Sequence, residues 1–383
     1  MKIQFANALR GIAALTVMFS HYFSFWIDPA AIASVAHFPA FQAAAPATPS
    51  YVRAYAATYP FAPPAFGVAL FFMVSGFVIP FSFASYGRLG FLVARIMRLY
   101  PTYMVGFGIT VVSLGVAAIG WHRAFPYPPT AVLSHILPGV RDLIGGPNID
   151  YVVWTLEVEV KFYVVCLLIA PLLRSGSALA FLAPAAIAAL VWIGLSHPPS
   201  NTALGAALFS GPMLIFMFIG VAVHYRFQGF LGNRAAITIV MLLFAAFYVL
   251  GKPAIYGPGF AIILPINYGA AALVFISCAA LPDSLFSGRL LHFAAEISYP
   301  LYVVHGVNGY ILMRALAGSG MPPGLCILLA AATAISVAYL LHVVIELPTH
   351  RLGRRWGHRL TAWRAHPSGH LDTPSATDVP ITA

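Results

Sequence analysis

Apolar side chains along this chain come in long unbroken runs, with the polar ones gathered between them. Runs long enough to cross a bilayer fall at about 9–26, 66–84, 99–120, 152–172, 178–195, 203–223, 235–250, 258–280, 297–316 and 324–346. Each approaches the roughly 20 residues that carry a helix across the hydrocarbon core. Several contain proline or glycine, which membrane helices tolerate when neighbours re-satisfy the backbone. The pattern predicts an all-α integral membrane protein of about ten transmembrane helices, occupying residues 1–360. No internal repeat of the transporter type is visible. From about residue 361 the chain turns polar and aperiodic, which predicts a disordered cytoplasmic tail over 361–383.

Cations between the runs orient them. With the N-terminus inside, fourteen of the twenty Lys and Arg side chains fall on the cytoplasmic side, five outside, and Lys161 within a run. Both termini are therefore expected in the cytoplasm. Two outer segments are long: 27–65 is rich in alanine, proline and aromatics, and 121–151 carries His122, His135, Arg141, Asp142 and Asp150. Segments of that length are functional lids or disordered connections.

Composition narrows the class. The chain is 61% hydrophobic and 8% charged, against roughly 25% charged in soluble domains. A lipid bilayer is thus an obligate partner. The net charge of +10 forms no basic stripe with interleaved aromatics, so nucleic acid is not expected as a partner. Cys166, Cys278 and Cys326 lie inside apolar runs and read as inert thiols. The N-terminal run resembles a signal peptide, but Arg10 falls late for its charged region, and the run is expected to stay as the first span.

The polar residues inside the apolar runs are the candidates for chemistry, because burying them at membrane depth is costly. Arg10 and His21 are eleven residues apart on the first span. On an α-helix they lie within roughly 20° of one face and roughly 16 Å apart. One face then carries a phosphate-type binder near the inner surface and a proton-transfer group deep in the membrane. Arg95 and Arg98, in Arg-Ile-Met-Arg-Leu-Tyr-Pro101, share a helix face just after the second span. Arginine's planar fork suits phosphate oxygens; the structural alternative is an ordinary positive-inside pair. Glu157 and Lys161 are one turn apart and can neutralise each other, whereas Glu159 has no partner within its helix and could meet His21 as a general-base pair. Tyr163, Ser75 and His305 are candidate cavity-lining residues, with helix packing as the alternative for Ser75-Gly76 and a hydrogen bond to a neighbouring helix for His305. Glu346 closes the last span, where an arginine partner is expected.

Taken in order, these motifs resemble the membrane acyltransferase-3 family, O-acyltransferases of surface glycans and related acceptors. The matches are Arg10-x10-His21, Phe71-Phe-Met-Val-Ser75-Gly-Phe77, Arg95-x-x-Arg98-Leu-Tyr-Pro101, Trp154-Thr-Leu-x-x-Glu159-x-x-Phe-Tyr163, Ser298-Tyr-Pro-Leu-Tyr302-x-x-His305 and Glu346-x-Pro348. The resemblance implies a ten-helix domain that moves an acyl group, usually acetyl, from acyl-CoA to an acceptor hydroxyl without a metal. It implies that Arg10, Arg95 and Arg98 hold the CoA and that His21 is catalytic; a catalytic role for Glu159 is our inference from its position. Some relatives carry a C-terminal soluble transfer domain, so any second transfer step here would fall to a separate periplasmic protein. The expected activity is O-acylation of a carbohydrate or lipid-linked glycan at a bacterial inner membrane, by direct transfer or through an acyl-histidine. The alternative is a transporter or flippase that moves a polar substrate without covalent chemistry.

Overall fold

The computed structural model describes residues 3–37, 48–136, 139–197, 201–251 and 260–365. They contain helices and connections, and no strand among the described residues. The N-terminal part comprises α1 (Gln4–Ile27), the short α2 (Pro29–Ala36) and α3 (Ser50–Ala56), α4 (Pro63–Ser85), α5 (Arg88–Gly120) and the short α6 (Pro129–Ser134). The central part holds α7 (Val153–Leu168), α8 (Ala170–Ser175), α9 (Leu182–Ser196), α10 (Thr202–Phe227), α11 (Asn233–Leu250) and α12 (Phe260–Ala279). After a 3-10 turn at Asp283–Phe286 come α13 (Arg289–Val304), α14 (Gly306–Gly318), α15 (Pro323–Leu341), a π turn at His342–Glu346 and α16 (Leu347–Ala365).

The described parts of all ten apolar runs are helical, but only seven helices are long and apolar enough to cross a membrane, against the ten expected. The other three segments are those richest in polar candidates. Arg10 and His21 dilute the apolarity of α1, and α7 stops after 16 residues. The ninth run breaks at His305 into α13 and α14. Costly polar groups and broken helices at membrane depth mark functional positions.

Neighbouring helices follow from their small residues. α4 packs between α1 and α10, and α1 also lies along α13. A Cβ at Gly11 would stand 2.7 Å from the Ala294 carbonyl carbon, so the α1 and α13 backbones nearly touch. Small residues permit such approach where lipid supplies no hydrophobic drive between helices. α10 is buried on nearly every side, whereas α9 and α11 turn Leu190, Trp192, Ile237 and Leu242 outward, as lipid-facing helices do. The N-terminus of α1 is capped from far away: Asp283 accepts hydrogen bonds from Gln4 N and Phe5 N, both at 3.0 Å.

Three boundaries differ from expectation. α5 starts at Arg88 and runs through Pro101, so Arg95 and Arg98 sit inside a helix rather than in a connection. Its 33 residues reach about 50 Å and overshoot the hydrocarbon core. The overhang pairs with α16, where a Cβ at Gly90 would lie 2.4 Å from Gly357 O. α16 continues to Ala365, past the expected start of the tail; residues 366–383 lie outside the described residues. The π turn precedes Leu347-Pro348, where proline removes a backbone donor and the helix widens by one residue.

Candidate active site

His21 has a partner, and it is His305 rather than Glu159. His21 Nδ1 and His305 Nε2 are 3.0 Å apart, and His305 Nδ1 is 3.0 Å from Leu301 O. A carbonyl only accepts, so His305 carries its proton on Nδ1 and presents Nε2 as an acceptor. His21 then donates from Nδ1, and its Nε2 is left with a lone pair. The chain of hydrogen bonds thereby selects the tautomer of a base. His305 is fully buried and His21 half-buried, so the free nitrogen lies on the accessible member. The break between α13 and α14 is held by Tyr22, whose hydroxyl donates to His305 O at 3.1 Å.

Glu159 lies elsewhere. One carboxylate oxygen accepts from Ser75 Oγ at 2.7 Å and from Tyr163 Oη at 2.6 Å. Ser75 therefore contributes a hydroxyl, while its neighbour Gly76 makes the helix contact. The Tyr163 ring lies 5.6 Å from the Arg95 guanidinium, which also covers Phe91 at 5.4 Å and donates to Ser82. Glu159 thus belongs to the arginine end of the bundle and does not touch His21.

At that end the cations converge. The charges acting on Arg10 are those of Arg98, Glu346, Glu159 and Arg95. Those acting on His350 of α16 are Arg98, Arg354, Arg95 and Arg10. Arg10 donates from Nη2 to Ala295 O at 2.9 Å, but its Nε is buried with no hydrogen-bond partner. An orphaned charged donor among other arginines fits a phosphate oxygen. Among the described residues no arginine hydrogen-bonds to Glu346 as expected; its carboxylate lies 2.7 Å from His342 Nδ1 across the π turn.

The face of α7 opposite Glu159 corrects a second pairing. Glu157 and Lys161 form no direct ion pair with each other. Arg141 of the 121–151 segment grips Glu157 bidentately, Nε–Oε1 2.8 Å and Nη2–Oε2 2.5 Å, with the two side chains 8% and 1% exposed. Lys161 pairs with Asp142 and donates to Ser210 at 2.8 Å. Asp150 then caps α7, accepting from Val152 N and Val153 N at 3.1 and 3.0 Å. These partners lie up to 49 residues apart, beyond any helical period; only the abundance of charge in 121–151 hinted at them.

The same segment carries a pH-sensitive tie. His135 Nε2 accepts from Ile149 N at 3.0 Å, and its ring stacks on Phe107. Burial and, secondarily, Arg141 hold this imidazole down to about 4, below its ordinary 6.5. The unfolded segment therefore binds the proton first, so stability is full above pH 6.5 and is lost as pH falls toward 4. The protection factor of the Ile149 amide is expected to fall as pH drops across that interval, and not in His135→Gln; a pH-independent protection factor in the wild type would contradict it.

Comparison of the chain with the curated proteins and with the solved structures finds no match. The family profile described as an acyltransferase domain matches residues 3–343, which takes in Arg10, His21, the Arg95/Arg98 pair, Glu159 and His305 and stops just short of Glu346. On that match the chain belongs to the acyltransferase-3 family.

Proposed function

We propose that this protein is a membrane O-acyltransferase that moves a short acyl group, most simply acetyl, from acyl-CoA to a hydroxyl of a carbohydrate or lipid-linked glycan. The observation that carries the reading is the arrangement on α1: a base with a selected tautomer at His21, and roughly 16 Å away on the same helix an arginine with an orphaned donor. Arg10, Arg95 and Arg98 would hold the CoA phosphates, and an extended pantetheine arm would follow α1 toward His21. The acyl-CoA supplies an activated thioester.

His21 Nε2 removes the proton of the acceptor hydroxyl as that oxygen bonds to the thioester carbonyl carbon. When the C–S bond breaks, the imidazolium returns the proton to the departing sulfur, leaving ester and free thiol. His305 takes part as the acceptor that keeps His21 oriented and stabilises the transient imidazolium. Glu159 acts one step removed in this scheme: through Tyr163 it positions the Arg95 guanidinium. With α1, α7 and the broken α13–α14 counted as crossings, the bundle spans a bacterial inner membrane ten times with both termini in the cytoplasm.

The test is transfer of label from radiolabelled acetyl-CoA into glycan by membranes containing the chain. Arg98→Ala removes a charged contact worth about 1.5–3 kcal/mol, so the KM for acetyl-CoA is expected to rise roughly 10- to 150-fold with little change in kcat. A reduced kcat at unchanged KM would take Arg98 out of donor binding.

A further inference from the structure

The face of α7 opposite Glu159 borders a cavity of about 330 Å³, within the size range of small-ligand pockets. Its walls come from three separate pieces of chain: Arg141 to Gly146 of the 121–151 segment, Trp154 and Glu157 of α7, and Thr202 to Ser210 at the start of α10. Trp154 and Phe209 meet edge to face at 6.0 Å and form an aromatic wall. We propose that this cavity is the subsite for an uncharged, hydroxyl-rich acceptor, a saccharide lying on Trp154 with a hydroxyl donated to Asp142.

Three observations select that chemistry. Asp142 Oδ1 is buried and has no hydrogen-bond partner, although the other carboxylate oxygen holds Lys161. A buried acceptor without a donor calls for an O–H or N–H from a ligand. The charged side chains that line the cavity are already paired, Arg141 with Glu157 inside it and Asp142 with Lys161, which does not itself line the cavity. No net charge is left for an ionic ligand, which disfavours an anion or a cation and leaves a neutral polar one. The aromatic wall supplies an apolar face beside these polar groups, matching the two-sided character of a sugar ring.

Side-chain contacts run from beside the cavity toward the proposed base. Thr155, next to Trp154, lies 2.9 Å from the Tyr302 hydroxyl, and the Tyr302 ring is 5.6 Å from His305. The inference rests on the acyl-transfer reading for what happens to the ligand, but not for its binding.

The experiment uses the full chain in lipid nanodiscs and saturation-transfer NMR with the methyl glycosides of glucose, galactose, mannose and N-acetylglucosamine, and with methyl glucuronide as a charged counterpart. At least one neutral glycoside is expected to receive saturation, with the glucuronide much weaker. The signal should fall at least fivefold in Trp154→Ala and in Phe209→Ala. Phe209 stands at the exposed rim, so its variant keeps the test intact where Trp154→Ala lowers folding. No signal from any neutral glycoside on folded wild type, or signals undiminished in both variants, would overturn the subsite. Thermal stabilisation by CoA is read in parallel. Its absence beside intact glycoside binding would refute donor binding alone, and its presence beside silent glycosides would refute the subsite alone.

Discussion

His21→Ala is expected to lower acyl transfer by about 10²–10⁴-fold, the range that a positioned general base contributes, while CoA still stabilises the protein. The expectation follows from the direction of the hydrogen bonds. Leu301 O fixes the His305 proton on Nδ1, His305 Nε2 fixes the His21 proton on Nδ1, and only His21 Nε2 is left to take a proton. His305→Ala should act through the same atom. Losing the acceptor leaves a buried donor unsatisfied at a cost of about 1–3 kcal/mol, roughly 5- to 150-fold in kcat, without a change in KM for the donor. His305→Gln retains an amide oxygen that can accept from His21 and should recover part of the loss. The readout is single-turnover transfer of label from acetyl-CoA. Full activity of His21→Ala would remove it from catalysis. A loss in His305→Ala that appears in KM would show that His305 shapes the donor site instead.

The second large effect concerns the crossing of α4 and α10. A methyl group at Gly76 would stand 1.9 Å from Met217 O, and one at Gly220 would stand 2.5 Å from Met73 O and 2.8 Å from Phe77 N. All of these are backbone atoms, so no side-chain rotation relieves the clash and the helices must separate. Gly76→Ala and Gly220→Ala are each expected to cost about 1–3 kcal/mol or more, as overpacking does. Gly108→Ala is the matched control, because nothing lies within 4 Å of its Cβ, and glycine-to-alanine in a helix is neutral or favourable there. Cys166 and Cys326 are buried, so a thiol-reactive dye reports unfolding on heating. Equal melting of all three variants would contradict the crossing. Ser75 adjoins Gly76, so separation of α4 from α10 should also weaken the Ser75–Glu159 hydrogen bond and, through Tyr163, the placement of Arg95.

The family match places the reaction class with acyl transfer rather than with the transport alternative, and the buried Arg, His and Glu side chains acquire specific neighbours in that light. The hydrogen bond to a neighbouring helix that was the alternative for His305 is the one it makes with His21 of α1. The acidic and basic residues of α7 divide by helix face. Glu157 and Lys161 turn to the 121–151 segment and Glu159 to the arginines.

The sequence alone determined whatever depends on the helical period or on the cost of burial. Long apolar runs mark the helices, because lipid leaves the backbone no other way to pair its groups. Eleven residues place Arg10 and His21 on one face, and the continuous α1 keeps them there. Tertiary structure alone decided who meets whom. The partners His21–His305, Arg141–Glu157, Lys161–Asp142 and Asp283–Gln4 come from separate helices or loops, up to 284 residues apart. Helices that are apolar on all faces, such as α10, carry no polar stripe to indicate which side faces which neighbour. Their order is set by where small residues let backbones approach, as at Gly11, Gly76 and Gly220. That is a property of two surfaces fitting together, and neither surface shows it by itself.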